Sequence, residues 1–188
     1  MLREVHYFDQ AGPQHTDKCL EIVENLNKEG YRDIVVATTY GDTGLKFADK
    51  LQNKDINLVV VTHSAGFKKP NELEITAEIK NKIKNLGGKI YTGTILTHSI
   101  ETALAQEFQG IYPTILITQT LRRFSQGVKV CVEIVMEGCD AGLLPEGKEV
   151  IAVGGTGRGA DTVCLIKSAA SKRFLEVKVL EILAKPRE

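Results

Sequence analysis

Hydrophobic residues along this chain fall into short continuous runs, separated by longer segments in which apolar residues recur every three to four positions. Continuous runs suit strands buried on both faces and the longer period suits amphipathic helices, so their alternation predicts a mostly parallel sheet flanked by helices. Asp33-Ile34-Val35-Val36-Ala37-Thr38 and Leu58-Val59-Val60-Val61-Thr62 are the clearest strands. Lys89-Ile90-Tyr91-Thr92 is a shorter third and Glu149-Val150-Ile151-Ala152-Val153 a fourth. Cys19, Leu20, Ile22, Val23 and Leu26 predict a helix capped near Thr16-Asp17 and stopped by Gly30. Leu45, Phe47, Ala48 and Leu51 predict a second over 43–51; Leu73, Ile75, Ile79, Ile83 and Leu86 predict a third over 72–86, ended by Gly87-Gly88. Further helices are expected near 99–108 with Ser99 as cap, over 128–143, and from Pro113 toward Phe124, where Ile115-Leu116-Ile117 also reads as a strand. The last third departs from the alternation. Val163-Cys164-Leu165-Ile166 and the stretch 174–183 are strand-like with no helix of useful length between them, which predicts an antiparallel edge. No linker or repeat interrupts the pattern, and 1–188 reads as one α/β domain.

Composition narrows the setting. Apolar residues make up 43% of the 188 and charged residues 26%, as in an ordinary globular chain able to bury a core. Lysine plus arginine equals aspartate plus glutamate at 24 each, so no basic stripe of the kind nucleic acid requires is expected, and self-association into a homo-oligomer meets no net repulsion. No run approaches the ~20 apolar residues that cross a bilayer, and no apolar segment opens the chain, which points to a cytoplasmic protein without membrane contact. Cys19, Cys131, Cys139 and Cys164 are scattered, without metal-site spacing, and read as small buried hydrophobes.

The candidate chemistry lies in loops at strand ends, the edge where open α/β sheets bind ligands. In Thr38-Thr39-Tyr40-Gly41-Asp42-Thr43-Gly44, hydroxyls and backbone N–H groups at a helix start suit an anion such as phosphate; the same residues also suit a plain helix cap, and Asp42 competes with an anion. The second loop holds His63, Ser64, Gly66 and Phe67, with His63 a ligand or a structural hydrogen-bonder and Phe67 a surface for a flat ring or a cover for the sheet edge. His98 is a weaker candidate of the same kind. The third loop, Gly154-Gly155-Thr156-Gly157-Arg158-Gly159, continues to Asp161 and Thr162. Its glycines imply unusual backbone angles or close approach, and the planar fork of Arg158 suits a phosphate. Asp161 would bind a ligand hydroxyl or orient Arg158. Neither a Walker A loop nor G-x-G-x-x-G fits these segments, and no nucleophile–base motif such as G-x-S-x-G or H-E-x-x-H is present.

Residues 35–44, 128–134 and 150–162, with the tail Glu181-Ile182-Leu183-Ala184-Lys185-Pro186, resemble the C-terminal α/β domain of pyruvate kinase, and more closely the stand-alone archaeal and bacterial proteins similar to it. The resemblance implies a three-layer α/β/α sandwich with a mixed sheet and an antiparallel edge strand. It implies a phosphorylated ligand held by Thr38–Gly44 and Gly154–Thr162: a sugar bisphosphate effector in the kinase, flavin mononucleotide (FMN) in the stand-alone relatives. Tyr40 and Asp42 depart from the kinase loop, and the kinase's catalytic barrel has no counterpart in the sequence. A sensor of sugar phosphates and a flavin-dependent oxidoreductase stand beside simple ligand binding.

Overall fold

In the computed structural model, which describes residues 2–94 and 99–187, strands form where the apolar runs lie. β2 (Asp33–Ala37), β3 (Asn57–Thr62) and β5 (Glu149–Gly154) are the most deeply buried. Val35, Val36, Val59 and Ile151 are wholly inaccessible, as expected for strands that use β-branched residues on both faces. With β1 (His6–Phe8), β4 (Lys89–Thr92), β6 (Thr162–Lys167) and β7 (Lys178–Pro186) they build, among the described residues, a seven-stranded sheet in the order β1-β7-β6-β5-β2-β3-β4. β6 is antiparallel to both β5 and β7, and the other neighbouring pairs are parallel. The antiparallel pairing expected from the last third is therefore β5-β6-β7. β1 lies outside it, a three-residue strand too short and too polar to stand out in the sequence.

Helices cover both faces. α1 (Thr16–Lys28), α2 (Asp42–Leu51) and α3 (Ala77–Asn85) bring Val23, Leu26, Phe47, Leu51 and Ile83 onto Ile34, Val36, Val60 and Ile151. On the opposite face α6 (Gln126–Asp140) packs Val128, Cys131 and Val135 onto Val35, Val59, Ala152 and Cys164. Each fully buried aliphatic side chain contributes about 1.5–3 kcal/mol, so the two clusters together hold the sheet in the middle of three layers. α4 (Ile100–Phe108) and α5 (Pro113–Leu121) lie between β4 and α6 in the chain and, of their described residues, bury only Thr118.

Several boundaries differ from the sequence reading for local reasons. α1 is preceded by a 3-10 turn over Pro13–His15, so Thr16 lies inside the helix, where its hydroxyl is directed to the Pro13 carbonyl instead of capping α1. α3 starts at Ala77 rather than residue 72, because the Thr76 hydroxyl accepts from the Ile79 N–H at 3.3 Å and caps it. Ser99 occupies the N-cap position of α4 without a side-chain capping bond among the described residues, whereas Ser125 caps α6 by accepting from the Val128 N–H at 3.0 Å. Phe174 falls in a 3-10 turn before β7. From β2 the chain order runs outward to β3 and β4, then returns by way of α6 on the opposite face to β5 on β2's other side. That reversal makes the β2–β5 boundary the switch point, where a crevice opens at the carboxyl ends of the strands.

Candidate functional site

The loop that leaves β2 is fixed by its own residues. The Thr38 N–H donates to the Val61 carbonyl at 2.9 Å, and its hydroxyl accepts from the Gly41 N–H at 3.1 Å. Gly41 has φ 96, and a Cβ there would sit 2.4 Å from Ile79 Cγ2, so both the backbone and the space demand glycine. This tight turn puts Asp42 and the buried Thr43 in the first turn of α2, with Gly44 against Val60. Thr38, Thr39, Tyr40, Asp42 and Thr43 line the crevice; Gly41 and Gly44 shape it from behind.

The glycine-rich loop after β5 is held by the segment that leads into α1. Asp161 is fully buried, and its Oδ2 accepts from the backbone N–H groups of Gly12 and Thr156, both at 3.1 Å. Its Oδ1 accepts from the Thr162 hydroxyl at 2.8 Å. The Thr16 hydroxyl donates to the Pro13 carbonyl at 2.7 Å and accepts from the Ala160 N–H at 3.0 Å. Gly159, at φ 73, lies so close to Pro13 that a Cβ would come within 2.4 Å of its Cα. Asp161 and Thr162 thus anchor the loop and do not line the crevice, and Gly154 is buried inside β5. Asp161 does not orient Arg158 either. Gly155, Gly157, Arg158 and Gly159 face the crevice, with Thr156 exposed beside them.

The two loops meet. Arg158 Nε donates to Asp42 Oδ2 at 2.9 Å, so the carboxylate that opposes an anion is matched by the guanidinium that favours one. A guanidinium has three nitrogens, and among the described residues the two terminal ones have no hydrogen-bond acceptor. Both partners are largely exposed, so the contact itself adds little to stability. Tyr40 ties the glycine-rich loop to the loop after β3: Arg158 Cζ lies 5.4 Å and Lys68 Nζ 4.7 Å from its ring centroid, and Lys68 also donates to its hydroxyl. His63 and Phe67 pack ring to ring at 4.1 Å and line the crevice, whereas Ser64 and Gly66 do not. Burial depresses the His63 pKa, and Glu74, 3.9 Å from its Nδ1, opposes the shift. His98 lies outside the described residues.

These elements enclose a cavity of about 230 Å³, and its inner wall is a surface the sequence reading missed. Gln126, Lys129, Val130, Glu133, Ile134 and Glu137 of α6 line it. Lys129, Glu133 and Glu137 are nearly inaccessible, and Lys129 donates to Glu133 one turn away. Burial pulls the Lys129 pKa down against the opposing pull of Glu133 and, more weakly, Glu137. The signal was present as three charges at positions i, i+4 and i+8 of a helix otherwise apolar enough to be buried. All four cysteines are buried, and burial pushes the Cys139 thiol up to about 11, so they pack rather than react.

The open, mixed α/β sheet with helices on both faces defines a three-layer α/β domain, with a crevice at the strand carboxyl ends rimmed by a hydroxyl-rich and a glycine-rich loop. Residues 18–166 match the model of the family described as pyruvate kinase, alpha/beta domain, and the chain belongs to that family. Among solved structures it is similar, over 56% of its length, to O-ureido-L-serine synthase, at 18% identity and a TM-score of 0.30. The chain spans 34% of that protein, and a likeness at this level adds nothing to fold or function. Among the described residues no helix is long and apolar enough to cross a membrane.

Proposed function

We propose that this domain binds a phosphorylated small molecule in the β2–β5 crevice, with FMN the leading ligand. One observation carries the reading: Arg158, held in a glycine-rich loop, reaches across to the first turn of α2 through Nε, and among the described residues its terminal nitrogens make no hydrogen bond. Around that point Thr38, Thr39 and Thr43 supply hydroxyls, and the start of α2 supplies unpaired N–H groups. These are the donors a phosphate needs. FMN fits the remaining donor set, since Tyr40, His63 and Phe67 offer ring surfaces and the Lys129–Glu133 pair sets a donor beside an acceptor, as the imide edge of a flavin ring requires. When bound, the flavin would supply electron transfer; the chain's part is to grip the phosphate, cover the ring and limit water.

A thermal scan tests this. FMN at about 100 times its dissociation constant should stabilise the fold by roughly 2.7 kcal/mol, which for a domain of this size raises the melting temperature by about 5–11 °C. Arg158→Ala should remove most of that rise. No shift with excess FMN would count against the reading. A second reading, a module that senses a sugar phosphate and passes occupancy to an assembly, is favoured by exposed apolar side chains along α4 and α5: Ile100, Phe108, Leu116 and, nearby, Ile111 and Phe124. Light scattering with and without fructose 6-phosphate separates the two, because only the sensor changes its mass on binding.

A further inference from the structure

The loop after β3 folds back on itself before α3 begins. The Gly66 N–H donates to the Glu72 carbonyl at 2.9 Å, and the Glu72 N–H to the Lys69 carbonyl at 3.1 Å. Ile75 is buried against Gly41, and Thr76 caps α3. Between these fixed points Glu74 turns its side chain inward, leaving it 8% exposed, whereas Glu72 stays on the surface. Glu74 Oε2 ends 3.9 Å from His63 Nδ1, about 1 Å beyond a hydrogen bond. Both atoms are buried, and neither has a hydrogen-bond partner among the described residues. Unpaired polar atoms of this kind are costly, and a loop that only had to fill the space would do so with apolar side chains, as Ile75 does next door.

The ring has a second side. His63 is 28% exposed and lines the crevice, so with Nδ1 covered its accessible edge is the one that carries Nε2. Phe67 packs on the ring at 4.1 Å and restricts its tilt. Burial acts most strongly on the ring and resists a second proton; Glu74 and Glu133 favour that proton, and Lys68 and Lys129 oppose it. A neutral imidazole has one N–H and one lone pair, and the nitrogen that faces a carboxylate takes the N–H.

We propose, resting on the phospholigand reading, that Glu74 fixes His63 as the Nδ1–H tautomer and that Nε2 accepts a hydrogen bond from an O–H or N–H group of the bound phosphoryl compound. Glu74 is then a positioning residue that never meets the ligand. Occupancy of Nε2 draws the Nδ1–H onto the carboxylate, and the two buried atoms become a pair.

Nitrogen-15 NMR of the histidine-labelled chain at pH 7, alone and with FMN or fructose 6-phosphate, tests this beside calorimetric titration. His63 should carry its proton on Nδ1, and FMN should shift the Nε2 resonance. Glu74→Leu, which removes the acceptor, should move the proton to Nε2 and weaken FMN about five-fold. A shift with both compounds assigns the donor to a hydroxyl, and a shift with FMN alone, although both bind, assigns it to the imide N–H; either supports the inference. Wild-type Nε2 found protonated, alone or together with Nδ1, overturns it and leaves the phospholigand reading intact. So does bound FMN that leaves Nε2 unmoved, or a folded Glu74→Leu whose tautomer and FMN affinity match wild type. If that variant fails to fold, the wild-type tautomer and its response to FMN decide. Absence of calorimetric binding by both compounds overturns the phospholigand reading, and this inference with it.

Discussion

Three side chains carry the site, and each makes a different demand. Among the described residues Arg158 pairs with the exposed Asp42, so Arg158→Ala should leave the denaturation midpoint within about 0–1 kcal/mol of wild type while removing phospholigand binding. Asp161 does the reverse. As a buried acceptor for Gly12, Thr156 and Thr162, its replacement by alanine strands three donors, and urea denaturation should show a loss of about 2–4 kcal/mol. Arg158 was legible in the sequence because an arginine among alternating glycines is locally unusual. The role of Asp161 was not, since its partner Gly12 lies 149 positions away and only the tertiary fold joins them. His63 adds a pH signature. Its folded pKa is depressed, so as pH falls below the unfolded value of about 6.5 the unfolded chain takes up a proton that the native ring resists. Stability should therefore fall between pH 7 and 5 more steeply in wild type than in His63→Asn, as followed by thermal melts.

At the scale of elements, α6 is where packing and charge conflict. Glu133→Leu alone leaves the buried Lys129 ammonium without its hydrogen-bonded carboxylate and should cost about 3–5 kcal/mol in chemical denaturation; adding Lys129→Met should restore most of that loss. A double variant no more stable than the single one would contradict the buried-pair account. Helices and strands were legible here because the apolar spacing is regular: β2, β3, β5 and α2 fall within a residue or so of their expected bounds. What failed were an end decided by a single hydrogen bond, at Thr76, and β1, whose pairing with β7 comes from the far end of the chain. Periodicity placed 128–143 in a helix but did not say which face meets a cavity. That depends on which side of the sheet the helix crosses to.

For the molecule as a whole, the return from β4 through α6 to β5 brings the loops after β2, β3 and β5 to one edge of the sheet. Alternating strands and helices implied a parallel sheet, but strand order is a property of long-range pairing, and only the resemblance to the pyruvate kinase domain anticipated that 38–44 and 154–159 meet. That meeting is the central claim. Calorimetric titration of wild type and Arg158→Ala with FMN and with riboflavin, which differs by the phosphate alone, tests it most directly. The account predicts that FMN binds wild type at least ten-fold more tightly than riboflavin does, a gap of about 1.4 kcal/mol, and that the gap closes in Arg158→Ala. Equal affinity for the two compounds in wild type, or no FMN binding at all, would contradict it.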